Sequence, residues 1–353
     1  MNKNIKVLIV DDSALVRKIL RQRLNQYENI EVVATAPDPY VARDKIIQYE
    51  PDVITLDVEM PRMDGITFLK KLMKHHPLPV IVLSSQTPKG SNNAMEALWS
   101  GAVEVISKPS GAFSVAEACD MLADSITTAA CVRMDKWTSQ TSQSKKRPVQ
   151  AHRTLETTNK IIAIGASTGG TQALSVVLSE LPADAPGVLV VQHMPPNFTT
   201  SFAKRLNDEC AMSVKEAADG DQVIPGRVLI APGGFHMALR RSGANYFASI
   251  TDGPRVCLQK PSVEVMFDSV AKYAGSNAVG AILTGMGKDG AKGLLNMRNA
   301  GARTIAQDEE SCVVFGMPKE AIKLDAAEKI VSLSDVSQSI LHLVQAELTA
   351  GVH

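Results

Sequence analysis

Ile5-Lys6-Val7-Leu8-Ile9-Val10-Asp11-Asp12-Ser13 decides the architecture of the first third of the chain. Its aliphatic, largely β-branched run reads as a buried strand, and two carboxylates stand where it ends. Working outward, the pattern returns: Val53–Leu56 ends in Asp57, Val80–Leu83 in Ser84, and Val103–Ile106 runs on to Lys108, with a further strand at Glu31–Ala34. Amphipathic stretches separate these strands, among them Ala14–Leu24, where Leu15, Ile19, Leu20 and Leu24 share a face, and Ile66–Met73. The alternation predicts a doubly wound α/β domain with five parallel strands. Parallel βαβ strands point their C-terminal ends at one crevice, so Asp11, Asp12, Asp57, Ser84 and Lys108 converge although they are scattered over about a hundred residues.

Such a pocket suits a hard divalent cation such as Mg2+, which takes oxygen from one or two carboxylates, waters and a phosphoryl oxygen. Asp12 and Asp57 fit direct ligation and Asp11 a water-mediated place. Asp57 is then the phosphoryl acceptor, because the metal offsets repulsion between its carboxylate and the incoming phosphate. Ser84 offers a hydrogen bond to a phosphoryl oxygen, and Lys108 a point charge to another. The plainer reading is that acids at strand ends merely cap helices, a role open to Asp12. Acids, a serine and a lysine at the ends of four of the five strands favour the pocket.

At 353 residues the chain exceeds one ordinary core and predicts two domains. Lys+Arg and Asp+Glu both number 37, and the zero formal charge argues against bulk electrostatic binding of nucleic acid or anionic membrane. No apolar run approaches the roughly 18 residues of a membrane span, and Met1–Lys6 does not begin a signal peptide, so a cytoplasmic protein without membrane insertion is expected. Cys119, Cys131, Cys210, Cys257 and Cys312 lie far apart with no Cys-x-x-Cys pair, as reduced thiols would.

From Arg133 to Thr158 the periodicity stops and Ser, Thr, Gln, Lys and Arg prevail. This segment cannot offset its ordering entropy by burial and reads as a linker spanning on the order of 30 Å. The predicted boundaries are a switch domain at 1–128, a linker at 129–158 and a second domain at 159–353. In the second domain, strands are expected at Ile161–Ile164, Val188–Val191, Arg227–Ile230, Tyr246–Ile250, Ala278–Leu283 and Arg303–Ile305. Helices are expected at Gln172–Leu181, Ser262–Tyr273, Ala291–Ala300 and Pro318–Leu324. This predicts a second doubly wound α/β domain, its sheet mostly parallel, with an antiparallel hairpin around Gly243–Asn245.

Gly165-Ala166-Ser167-Thr168-Gly169-Gly170 follows a strand and precedes a helix, matching Gly-x-Ser-x-Gly, whose glycines permit a sharp turn that lifts a serine hydroxyl out of the sheet. The alternatives are a glycine turn with an incidental serine, or a nucleotide loop. A dinucleotide fold wants an acid at the end of the next strand, and here that strand ends in Gln192-His193-Met194. His193 is therefore the candidate base, with His236 its rival. Asp289, in the glycine-rich loop Leu283–Gly290, is the candidate third member, with N-capping of the helix at Ala291–Ala300 as its plainer role. The Met286 amide is a candidate oxyanion donor.

These stretches are similar to two known families. Residues 5–127 resemble the receiver domain of bacterial response regulators, on Val10-Asp11-Asp12, Leu56-Asp57-Val58-Glu59-Met60-Pro61, Asp64-Gly65, Ser84-Ser85 and Lys108-Pro109. Residues 160–348 resemble the catalytic domain of the chemotaxis protein-glutamate methylesterases, the CheB family. That likeness rests on Gly165–Gly170, Gln192-His193-Met194-Pro195, Ala231-Pro232-Gly233-Gly234-Phe235-His236, Leu283–Gly290 and Gly316-Met317-Pro318. The resemblance implies an active site of Ser167, His193 and Asp289 with Met286 and an accessory Thr168. It further implies hydrolysis of glutamate γ-methyl esters on methyl-accepting chemotaxis receptors and deamidation of certain receptor glutamines. A chemotaxis histidine kinase would supply the phosphate, Mg2+ would serve the receiver, and the hydrolase would need no cofactor. The expected coupling is a receiver that covers the Ser167 cleft until Asp57 is phosphorylated. Two other readings stay open: a non-enzymatic regulator whose second domain binds a nucleotide or partner, and an esterase acting on a protein outside chemotaxis.

Overall fold

The computed structural model describes residues 4–60, 63–84, 87–108, 114–132, 134 and 160–350. Pro61, Ser85, Pro109 and nearly all of the predicted linker lie outside the described residues. The chain divides into two compact units, Met1–Gln143 and Ser144–His353.

In the first unit β1 (Ile5–Val10), β2 (Ile30–Ala36), β3 (Val53–Asp57), β4 (Val80–Ser84) and β5 (Glu104–Ser107) form one sheet in the order β2-β1-β3-β4-β5. All its pairings are parallel. Every residue of β3 and β4 is buried, as a sheet covered by helices on both faces requires. The helices are α1 (Ala14–Leu24), α2 (Pro39–Tyr49), α3 (Gly65–His75), α4 (Pro88–Trp99) and α5 (Ser114–Ala129). The cap of α1 is Ser13, whose hydroxyl accepts from the Val16 amide at 3.4 Å, and Asp12 stays exposed. Asp64 caps α3 through the Thr67 amide at 2.8 Å. On α1 the inward stripe is Leu20 and Leu24, with Ile19 half-buried, whereas Leu15, expected on that face, is 66% exposed.

The second unit holds a seven-stranded sheet built from β6 (Ile161–Ala166), β7 (Gly187–Gln192), β8 (Ser213–Glu216), β9 (Arg227–Ile230), β12 (Ala278–Ile282), β13 (Arg303–Gln307) and β14 (Lys329–Val331). Its order is β14-β13-β12-β6-β7-β9-β8, with every pairing parallel. The predicted hairpin, β10 (His236–Ser242) with β11 (Asn245–Thr251), is antiparallel and stands as a separate two-stranded sheet. Helices are α6 (Gly170–Ser179), α7 (Phe198–Glu209), α8 (Val263–Tyr273), α9 (Ala291–Asn299), α10 (Met317–Lys323) and α11 (Leu333–Ala350).

The edge strands β8 and β14 and the helices α7 and α11 were not in the predicted set. Both edge strands are short and half-exposed, so they lack the apolar run that marks the buried strands. Helix α7 opens on Phe-Thr-Thr-Ser, poor helix formers, and is held instead by burying Phe198, Phe202 and Leu206 on one face. The hairpin contributes Met237, Leu239, Tyr246 and Ala248 to a core shared with Val263, Met266, Phe267 and Val270 of α8. That packing fixes α8, and the direction of α8 matters below. No described helix is long and apolar enough to cross a membrane.

Candidate active site and phosphoacceptor site

Strand order already selects two places. In the first unit the order reverses between β1 and β3, and in the second between β6 and β12. In an open α/β sheet the crevice at such a reversal, beyond the strands' C-terminal ends, is where ligands are bound. Asp11, Asp12 and Asp57 leave β1 and β3, and Ser167 and the loop carrying Asp289 leave β6 and β12.

Register sets the serine beside the histidine. Strands β6 and β7 pair with Ala166 opposite Gln192, so Ser167 and His193 leave the sheet as neighbours. The His193 amide donates to the Ala166 carbonyl at 3.2 Å, and the Ser167 amide to the Thr284 carbonyl at 3.0 Å. Gln192 ties the two turns together, its Nε2 donating to the Ser167 carbonyl at 2.9 Å and to that of His193 at 3.2 Å. Gly169 takes φ +80°, a left-handed conformation that closes the turn before α6. Ser167 itself is 9% exposed.

The Asp289 carboxylate is saturated with donors. Oδ2 lies 2.7 Å from His193 Nε2 and accepts from the Val263 amide at 2.7 Å. Oδ1 accepts from the Ser262 hydroxyl at 2.7 Å and the Glu264 amide at 3.1 Å. Val263 and Glu264 open α8, so two of that helix's orphan amides end on Asp289, which caps α8 from another loop. The plainer role of Asp289, capping its own following helix, is not the one observed: the cap of α9 is Gly290, with no side-chain cap bond. In return the Glu264 carboxylate accepts from the Gly290 amide at 3.0 Å. Burial pushes the Asp289 carboxyl up, but the His193 contact, the Ser262 hydroxyl and the Val263 amide outweigh it and hold it below the ordinary carboxylate value.

A carboxylate only accepts, so the nitrogen facing it carries the proton: His193 has its hydrogen on Nε2. Its Nδ1 is left as a buried acceptor without a hydrogen-bond partner. His193 and Asp289 are thus in contact, and Ser167 stands at the adjacent register position with no bond to Nδ1. Thr168 is buried and its carbonyl accepts from the Thr284 hydroxyl at 3.0 Å. Met286 is 41% exposed on a loop pinned by bonds from the Gly316 and Met317 amides to the Gly285 carbonyl. His236, the rival base, has both nitrogens occupied: Nε2 lies 2.9 Å from the Pro254 carbonyl, and Nδ1 lies 3.3 Å from the Ser262 amide. Ser262, Gln192 and Thr284 were missed as site residues. Ser262 carried one sequence signal, a serine at the start of a predicted helix.

In the first unit, ligand oxygens of Asp11, Asp12 and Asp57 lie within 4.8 Å of one another. Lys108 Nζ donates to Asp57 Oδ2 at 2.6 Å and sits 3.1 Å from Asp11 Oδ2, close enough for an ion pair but off hydrogen-bonding geometry. Burial raises the Asp57 carboxyl above its ordinary value, against the opposing pull of Lys108 and the Glu59 amide. Ser84 is buried and its hydroxyl donates to the Gly90 carbonyl at 2.9 Å. Gly65 packs so closely on β3 that a Cβ there would meet the Asp57 carbonyl oxygen at 2.2 Å. These residues fit a hard cation: three carboxylates meet, and Asp11 Oδ2 is a buried oxygen without a hydrogen bond.

Comparison with known proteins agrees with this division. Residues 162–340 match the family model of CheB methylesterases, and residues 7–120 that of response regulator receiver domains. The chain is 57% identical over 340 residues to the protein-glutamate methylesterase/protein-glutamine glutaminase 2 of Syntrophus aciditrophicus, covering 96% of this chain and 99% of that one. It is 53% identical over 357 residues to the protein-glutamate methylesterase/protein-glutamine glutaminase of Salmonella typhimurium, with 98% of each covered. The crystal structure of the Thermotoga maritima CheB methylesterase catalytic domain superposes with TM-score 0.51 at 40% identity, covering 53% of this chain and 98% of that one.

Proposed function

The chain belongs to the CheB methylesterase family, with a response regulator receiver in front of the catalytic domain, and from that premise we propose how its residues work. The protein is a protein-glutamate methylesterase and protein-glutamine glutaminase serving chemotactic adaptation. Ser167 is the nucleophile. His193 Nδ1 takes its proton as the hydroxyl oxygen attacks the glutamyl ester carbonyl, and Asp289 stabilises the imidazolium through Nε2. The tetrahedral oxyanion falls to the Met286 amide, with Thr168 as accessory. Methanol leaves with the proton from His193, and water, activated by the same nitrogen, hydrolyses the acyl-enzyme. A receptor glutamine follows the same path with ammonia leaving.

The observation that carries this reading is the state of His193: proton fixed on Nε2 by a buried carboxylate, and a bare Nδ1 one register position from a serine hydroxyl. A buried acceptor without a partner costs about 1–3 kcal/mol, which a serine proton offsets as it moves. Ser167→Ala tests it. The folded variant releases no methanol from methylated receptor fragments, whereas a nucleotide- or partner-binding module would keep its ligand. Demethylation of some other protein in preference to receptor fragments would favour an esterase outside chemotaxis.

In the receiver, Asp57 accepts a phosphoryl group from a histidine kinase, with Ser84 and Lys108 contacting it. Asp11, Asp12 and Asp57 would hold Mg2+, and the ion would supply charge neutralisation for the incoming phosphate. Phosphorylation relieves inhibition of the esterase by the receiver. A full chain as active without phosphodonor as with it would refute that control. Both halves work in the cytoplasm, where the receptors' methylation helices lie.

A further inference from the structure

Ser262 occupies the cap position of α8 with the extended backbone of an N-cap (φ −115°, ψ 136°), yet its side chain makes no cap bond. The hydroxyl turns away and donates to Asp289 Oδ1 at 2.7 Å, while the Asp289 carboxylate takes the Val263 amide and also the Glu264 amide, the latter one that such a serine ordinarily satisfies. A wholly buried serine that forgoes its own helix needs something else to aim it.

His236 does so. The Ser262 amide is a donor, so His236 Nδ1 is an unprotonated acceptor, and Nε2 carries the hydrogen given to the Pro254 carbonyl. The ring is 4% exposed and bonded at both nitrogens, which fixes its orientation. Two residues earlier the Gly234 amide donates to the Lys260 carbonyl at 3.3 Å, locking the segment 234–236 to 260–262.

We propose that His236 and Ser262 form a positioning relay for the reaction, the His236 ring fixing the Ser262 backbone so that the Ser262 hydroxyl holds Asp289 Oδ1 and thereby turns Oδ2 onto His193. The proposal rests on the esterase reading above. Neither residue touches the ester; both act through the direction of one carboxylate.

The test uses the full chain activated by a small-molecule phosphodonor, with methanol release from a methylated receptor fragment and labelling of Ser167 by a fluorophosphonate as separate readouts. Ser262→Ala and His236→Leu each lower kcat about tenfold to a hundredfold with KM nearly unchanged, the signature of an interaction made in the transition state. Ser262→Thr keeps the hydroxyl and His236→Asn keeps an acceptor near Nδ1, so both recover most of the rate. The double variant Ser262→Ala/His236→Leu is no slower than the slower single, because both act on one wire. In Ser262→Ala the acid limb of the rate profile moves to lower pH, since a carboxylate no longer turned onto His193 stabilises the protonated ring less; a merely structural role would not move it. Unchanged kcat in folded Ser262→Ala, additive losses, or a rise in KM alone overturns the relay. Should His236→Leu fail to fold, the Ser262 pair and its pH profile decide. A wild-type chain that labels at Ser167 but releases no methanol overturns the substrate reading alone, and labelling rates then judge the relay.

Discussion

Asp289→Asn separates the catalytic role proposed for one carboxylate from its structural work. The wild-type oxygens accept from His193 Nε2, the Ser262 hydroxyl and the amides of Val263 and Glu264. An asparagine fits the same volume, but its NH2 faces two donors whichever way the amide is turned. If NH2 takes the Oδ2 place it meets the Nε2 hydrogen of His193, and the imidazole is driven to the other tautomer, leaving no basic Nδ1. If it takes the Oδ1 place, the Ser262 hydroxyl and Glu264 amide lose their acceptor. The first case costs about 10⁴ in kcat by analogy with other triads. Both cases weaken the α8 cap, and losing charge-assisted bonds to two buried donors costs about 2–4 kcal/mol. For a unit of this size that lowers the catalytic unit's Tm by roughly 4–16 °C. The pH dependence has a definite sign: Asp289 is held below the ordinary carboxylate value in the folded state, so its stabilisation is complete above the unfolded value and is lost as pH falls through the folded one. Calorimetry of the full chain should therefore show the wild-type and Asn variants converging in acid and diverging toward neutrality, alongside single-turnover methanol release. An Asn variant with kcat within tenfold of wild type, or one equally stable at pH 7, refutes the dual role.

Three further outcomes follow from the first unit and the serine turn. Asp12→Asn removes one of the carboxylates proposed to hold Mg2+, so millimolar Mg2+ that raises the receiver's Tm in the wild type, by about 2.7 kcal/mol of stabilisation at a hundredfold excess over Kd, leaves this variant's Tm unmoved in a thermal-shift titration. Without metal, the raised Asp57 carboxyl gives the opposite pH trend to Asp289: its share of stability is present below the unfolded carboxylate value and is lost as pH rises through the folded one, which an Asp57→Asn receiver would not show in denaturant midpoints. Gly65→Ala drives a Cβ to within 2.2 Å of the Asp57 carbonyl oxygen and destabilises the receiver by about 1–3 kcal/mol, read from urea unfolding, while slowing phosphoryl uptake. Gln192→Leu unties the Ser167 and His193 turns and lowers kcat about tenfold with the fold retained, as far-UV circular dichroism would report.

Much of this was legible along the chain because it is local. Strand runs such as Val53–Leu56 and Ile161–Ile164 announce themselves by uninterrupted burial, and a parallel sheet sends the residue after each strand to the same edge. Asp57, Ser167 and His193 were therefore locatable from where their strands stop. Leu15 went the other way in α1, since a helical stripe defines a face only to within a residue or so and packing against the sheet chooses its edge. Beyond His193, the partners of Asp289 were not legible. Its bonds to Ser262, Val263 and Glu264 join segments more than twenty residues apart, and they exist because the hairpin packs on α8 and aims that helix's N-terminus at the loop after β12. Which nitrogen of His193 bears the proton, and whether His193 or His236 is the free base, likewise depend on acceptors brought from distant loops. Residue type and spacing set what chemistry this protein can perform; three-dimensional packing alone decided which groups are desolvated together, and hydrogen bonds and pKa values answer to neighbours in space rather than in sequence.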